Sequence, residues 1–189
     1  FTTMNIGILA LQGDFEAHRH VLARCADEFG DIAVLEVRDA AALAGLDGLV
    51  IPGGESTTMS RLCDRYGLWE PLRERLRGGM GALGTCAGLI MLADTISGAT
   101  NNFTQRTLGA LDIDVARNAY GTQIDSFEAN VQLEPGIETE PGIAAEAGAA
   151  PLRGVFIRAP RIARLGAVEI VARYNGEPVA VRQGKVMGA

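Results

Sequence analysis

The residue pattern predicts a parallel α/β sheet. Short apolar runs of strand length alternate with segments of helical spacing, the runs end in glycine-bearing loops, and one loop has the form of a sharp strand-to-helix turn. Asn5-Ile6-Gly7-Ile8-Leu9-Ala10-Leu11 is a continuous apolar run bounded by Gly13, as a strand covered on both faces requires. A helix follows: Phe15, Val21, Leu22, Cys25, Ala26 and Phe29 recur at helical spacing, with Asp14 as N-cap and Gly30 as the stop. Residues 32–37 and 47–51 are the next strands, the second ending at Pro52-Gly53-Gly54. Residues 57–66 and 68–77 read as helices, and Gly81-Ala82-Leu83 as the strand that enters the turn.

Past Asp94 the character changes. Residues 113–115, 127–133, 154–157, 168–174 and 179–182 are strand-like with little helix between them, and Asn175-Gly176 is a strong hairpin turn. The intervening stretch 134–154 is rich in Pro, Gly, Ala and Glu, and its Glu134-Pro135-Gly136-Ile137 is echoed by Glu140-Pro141-Gly142-Ile143; it is expected to be a surface excursion. In open α/β sheets a ligand lies outside the carboxyl ends of the strands. Leu11-Gln12-Gly13, Pro52-Gly53-Gly54 and Cys86 all fall at such ends.

Bulk properties narrow the function. The chain has 189 residues, 48% of them hydrophobic and 5% aromatic, enough for one domain with a largely aliphatic core. A net charge of -6, with no basic cluster, argues against nucleic acid as partner. The 3 cysteines, Cys25, Cys63 and Cys86, are widely spaced with no C-x-x-C, which suits a reducing cytoplasm and makes a disulfide framework or a metal site improbable. No signal pattern or membrane-length apolar run occurs. Met4 is the expected natural start, residues 4–189 are expected to form a single domain, and the apolar ending at Ala189 implies a chain that continues.

Gly84-Thr85-Cys86-Ala87-Gly88 is the most informative segment. Glycines around a central nucleophile allow the strained turn of a nucleophile elbow, which presents the thiol near a helix N-terminus, where the next residue's N–H can stabilise an oxyanion. Cys86 is thus the candidate nucleophile; the competing reading is a buried structural cysteine beside packing glycines. Pro52-Gly53-Gly54-Glu55-Ser56-Thr57 joins a backbone of little bulk to a carboxylate and hydroxyls at a strand-to-helix junction. It can approach a ligand closely, or be a tight turn in which Ser56 or Thr57 caps the helix. Arg117 and Arg158 stand beside apolar strands, where a guanidinium can grip a carboxylate or form a surface ion pair. His18 and His20 are two residues apart on the first helix, so they point to different faces and read as solvated. No other histidine can serve as a base for the thiol.

Taken together, Leu11-Gln12-Gly13-Asp14, Pro52-Gly53-Gly54-Glu55-Ser56-Thr57-Thr58-Met59, Gly84-Thr85-Cys86-Ala87-Gly88-Leu89-Ile90, Arg117-Asn118-Ala119-Tyr120-Gly121 with Asp125-Ser126-Phe127-Glu128, and Val155-Phe156-Ile157-Arg158-Ala159-Pro160 resemble the class I glutamine amidotransferase family, within it the glutaminase subunits of pyridoxal 5'-phosphate synthases. The resemblance implies a three-layer flavodoxin-like sandwich around a mostly parallel sheet. It implies that Cys86 attacks the carboxamide of L-glutamine, that ammonia departs, and that water hydrolyses the thioester. It further implies that Gly54, Glu55, Ser56, Arg117, Ile157 and Arg158 bind glutamine, with the N–H groups of Gly54 and Ala87 at the oxyanion. Neither a cofactor nor a metal is implied. The partner implied is a (β/α)8-barrel pyridoxal 5'-phosphate synthase subunit that receives the ammonia and activates the glutaminase, with Gln12, Gly13 and the first helix near the contact. The family's His-Pro-Glu triplet, which supplies the base, is absent from these 189 residues, so the chain by itself is expected to turn glutamine over poorly. The alternatives are a glutaminase serving another amidotransferase, a cysteine-based redox or stress sensor, and a binding subunit without catalysis.

Overall fold

The structure is a computed structural model and describes residues 3–98, 104–117, 126–137 and 152–189. Its elements are strands β1 (Met4–Leu9), β2 (Ile32–Val37), β3 (Gly48–Ile51), β4 (Gly81–Gly84), β5 (Ala93–Ser97), β6 (Leu111–Ala116), β7 (Phe127–Leu133), β8 (Leu152–Phe156), β9 (Arg161–Leu165), β10 (Glu169–Tyr174), β11 (Glu177–Gln183) and β12 (Val186–Gly188). The helices are α1 (Phe15–Phe29), α2 (Ser56–Arg65), α3 (Trp69–Arg77) and α4 (Ala87–Leu92), with a 3-10 turn at Ala41–Leu43.

A 9-stranded sheet runs in the order β2-β1-β3-β4-β12-β11-β10-β7-β8. From β2 to β12 neighbouring strands are parallel, and from β12 to β8 they are antiparallel. The expected α/β arrangement is therefore present, with its parallel half built from the alternating first part of the chain. The helix-poor second part supplies the antiparallel ladders, although β12 joins β4, and β5 joins β6, in parallel. Asn175-Gly176 turns β10 into β11 as expected, both residues at positive φ (49° and 81°), which a two-residue hairpin turn demands. A separate 3-stranded sheet, β5-β6-β9, carries two strands that the sequence pattern does not announce. β5 begins directly after α4, and β9 is the short run Arg161-Ile162-Ala163-Arg164-Leu165, of which Ile162 alone is buried.

The main core joins Leu9, Ile51, Met59, Leu72 and Leu92 with Leu111, Ile113 and Val115, the buried face of β6. β3 is buried along its whole length, so strand period gives way to a continuous apolar run. A second cluster forms around Val131, Phe156, Val171 and Ala180, with the rings of Phe127 and Phe156 stacked 4.7 Å apart. One expectation fails here: Val21, taken as part of the inward stripe of α1, is 55% exposed. The stripe instead follows the half-buried Phe15, His18, Leu22, Cys25 and Ala26, three and four residues apart. Most of the 134–154 stretch and the segment Asn118 to Asp125 lie outside the described residues. No helix among the described residues is long and apolar enough to cross a membrane.

Candidate active site

Three loops at the carboxyl ends of β1, β3 and β4 meet at one place. Asp14 N–H donates to Gly53 O at 3.0 Å, and Glu55 N–H donates to Gln12 Oε1 at 2.8 Å, tying the first loop to the second. Glycine permits the approach: a Cβ on Gly13, whose φ is 95°, would lie 2.1 Å from Gly53 O. The third loop is the elbow. Cys86 has φ 51° and ψ -101°, a conformation that costs a non-glycine residue free energy of order 1–3 kcal/mol and marks functional turns. A Cβ on Gly88 would sit 2.1 Å from Ile51 O, and one on Gly84 would sit 2.6 Å from the Gly88 carbonyl, so the elbow needs both glycines to pack under β3. The turn is held by Cys86 N–H donating to Ala189 O at 2.8 Å and Gly88 N–H donating to Thr85 O at 2.8 Å.

The sulfur is half-buried and accessible, unlike Cys63, whose thiol burial pushes up to about 12. Burial also raises the Cys86 thiol above its ordinary value; hydrogen bonds from Ala87 N–H and Gly54 N–H, then the charge of Arg158, pull it back without cancelling the rise. The Ile157 carbonyl oxygen lies 3.9 Å from the sulfur. Arg158 holds φ 43°, a second strained residue facing the same place. Thus Cys86, Ala87, Gly54, Ile157 and Arg158, spread over more than a hundred positions, converge on one atom.

Glu55 caps α2. Its Oε1 accepts from Thr57 N–H at 3.1 Å, and its Oε2 accepts from Thr58 N–H at 2.7 Å and from the Thr58 hydroxyl. Burial works to raise its pKa, but these hydrogen bonds outweigh it and hold the carboxyl below the usual value. The cap is therefore Glu55 itself rather than Ser56 or Thr57, because the carboxylate reaches two free N–H groups of the first turn, those of Thr57 and Thr58. Oε1, with one donor, keeps acceptor capacity. Ser56 is buried, and its Oγ accepts from Arg117 Nη2 at 2.7 Å and donates to Gln105 Oε1 at 3.3 Å. Arg117 Nη1 donates to Thr57 Oγ1 at 3.1 Å; burial lowers the guanidinium's pKa, and Glu55 opposes that. Arg117 Nε and Gln105 Nε2 are buried donors with no hydrogen-bond partner among the described residues.

Every sequence-predicted residue lies in this constellation: Gln12 and Gly13 brace the Gly54 loop, Glu55, Ser56 and Arg117 flank its helix, and the rest surround the sulfur. Sequence reasoning missed Gln105, which has no motif to mark it, and His18. The histidine is not solvated, since its Nε2 lies 3.0 Å from Thr85 Oγ1. Its position one turn into α1, on the same stripe as Phe15, is the signal that could have separated it from the exposed His20.

The description "SNO glutamine amidotransferase family" belongs to the family model that matches residues 8–189. The pyridoxal 5'-phosphate synthase subunit PdxT of Streptomyces avermitilis is 48% identical over 183 residues, covering 96% of this chain and 82% of that protein. The protein of the same name from Acidothermus cellulolyticus is 49% identical over 188 residues, with 96% and 82% covered. A crystal structure of a glutamine amidotransferase, 42% identical, aligns with a TM-score of 0.80 over 97% of this chain and 87% of that one. The PurLQS structure from Thermotoga maritima, 13% identical with a TM-score of 0.64 over 100% of this chain and 86% of that one, shares the fold. The chain belongs to the SNO glutamine amidotransferase family.

Proposed function

We propose that this chain is the glutaminase subunit of a pyridoxal 5'-phosphate synthase. The observation that carries the reading is a cysteine sulfur at a strained elbow with the N–H groups of Gly54 and Ala87 directed at it. The Cys86 thiolate attacks the carboxamide carbon of L-glutamine, and the carbonyl oxygen becomes an oxyanion between those two N–H groups. The carbon–nitrogen bond then breaks, ammonia takes up a proton as it leaves, and water hydrolyses the thioester to glutamate and the free thiol. Glu55 Oε1 is placed to accept from the α-amino group of glutamine, with Ser56, Arg117, Ile157 and Arg158 completing the binding place. The liberated ammonia passes to a (β/α)8-barrel synthase subunit, which docks near Gln12, Gly13 and α1.

A thiol raised by burial needs a base before it can attack. The chain's 2 histidines are both on α1, and the nearer one is engaged by Thr85, so these 189 residues alone turn glutamine over poorly. The same rise weighs against the redox-sensor alternative, because sensors rely on thiols of depressed pKa. The test is glutamate release from glutamine by the full-length protein mixed with its synthase. Activity that disappears in Cys86→Ala supports the assignment, and turnover retained in that variant refutes it.

A further inference from the structure

Cys86 can keep its strained backbone only if its neighbours over-determine it. Thr85, the residue before it, is fixed at every polar atom it has. Its N–H donates to Ile51 O at 3.1 Å and its carbonyl accepts from Gly88 N–H at 2.8 Å, so β3 and α4 hold its backbone. Its hydroxyl is held from elsewhere, 3.0 Å from His18 Nε2 on α1, which is 67 positions away. The hydroxyl also lies 3.9 Å from where a Cβ on Gly53 would stand, between the two loops that supply the N–H groups around the sulfur. His18 thus connects α1 to this junction, where it is half-buried.

We infer that His18 is a positioning residue of the glutaminase centre: through its hydrogen bond to the Thr85 hydroxyl it fixes the orientation of the elbow, and so the place of the Cys86 sulfur relative to the N–H groups of Gly54 and Ala87. The inference rests on Cys86 being the glutaminase nucleophile. His18 does not touch glutamine or the sulfur in this role. Its loss acts on the bond-forming step and leaves binding unchanged, because the polar groups around Ser56 and Arg117 are held by a separate set of hydrogen bonds.

The experiment is a double-mutant cycle on the full-length protein assembled with its synthase, reading covalent labelling of Cys86 by a glutamine-shaped diazoketone. His18→Leu and Thr85→Val are each expected to lower the maximal labelling rate about three- to tenfold, the range of one hydrogen bond, with the half-saturating concentration unchanged. The combined variant is expected to be no slower than the slower single variant, as two halves of one interaction require. His18→Gln, whose amide can place either a donor or an acceptor near the Nε2 position, should recover most of the rate, as should Thr85→Ser, which keeps the hydroxyl. Full rate in either apolar variant, losses that multiply in the combination, or failed rescue by both conservative variants overturns the proposal. If His18→Leu does not fold, as thermal melting reports, the comparison of Thr85→Val with Thr85→Ser and of His18→Gln with wild type decides. Protection of wild-type Cys86 by glutamine tests the glutaminase reading separately. Without protection both readings fall; with protection and a full-rate or additive cycle only the role of His18 falls.

Discussion

Replacing Gly54 by alanine should damage catalysis far more than the same change one residue earlier. A Cβ on Gly54 would lie 2.6 Å from Gln12 Oε1 and 2.8 Å from Gly13 Cα. The amide of Gln12 can swing away, but only by releasing Glu55 N–H, which it now accepts at 2.8 Å. The Gly13 backbone cannot retreat without breaking the bond from Asp14 N–H to Gly53 O. Either adjustment moves the Gly54 N–H off the sulfur. Losing one preorganised oxyanion donor costs about 10²–10³ in kcat, roughly 3–4 kcal/mol of transition-state stabilisation. A Cβ on Gly53 meets Cys86 Cβ at 3.6 Å and Thr85 O at 3.7 Å, ordinary contacts. In an assay that couples glutamate release to its oxidation, with the synthase present, Gly54→Ala should lose about a hundredfold in kcat with KM little changed, whereas Gly53→Ala should stay within about threefold. Thermal melting of both variants separates catalysis from misfolding. A Gly54→Ala enzyme that folds and turns over at the wild-type rate would show that this N–H takes no part.

The remaining predictions follow from the same geometry. Because burial raises the Cys86 thiol, its labelling by a small alkylating agent should increase about tenfold per pH unit through neutrality and reach its midpoint above the ordinary thiol range; Arg158→Met, which removes an opposing charge, should move that midpoint further up. Glu55→Ala should cost about 1 kcal/mol as a lost helix cap, seen as a fall of roughly 2–4 °C in Tm. Since the Glu55 pKa is lowered on folding, its charge-dependent contribution is complete above the unfolded value near 4.5 and is lost as pH falls through the lower folded value, so Glu55→Gln should flatten that part of the acid stability profile. Gly88→Ala places a Cβ 2.1 Å from the Ile51 carbonyl oxygen and should destabilise by about 1–3 kcal/mol or more, measured by urea titration.

The parallel half of the sheet and the elbow were legible because their signals are local. A buried strand is a short apolar run, a helix repeats every three to four residues, and a nucleophile elbow is five consecutive residues with glycines at its ends. The rule that ligands gather at the carboxyl ends of parallel strands then brought Gln12, Gly54 and Cys86 together before any coordinate was known. The strands β5 and β9 were not legible, since each is short and takes its identity from partners in β6 rather than from its own period. Val21 fits a helical stripe in the sequence yet faces solvent, because the stripe that packs is chosen by what lies beneath the helix.

The sequence by itself determined that a thiol stands at a glycine-lined turn, and which loops share its side of the sheet. Only the tertiary structure decided how the polar atoms there are allocated: that Glu55 caps α2, that Arg117 grips Ser56 and Thr57, and that His18 reaches Thr85. The physical reason is range. Strand, helix and turn preferences act over a few residues, whereas a hydrogen bond between side chains 67 positions apart exists only once packing has set both ends within 3.0 Å.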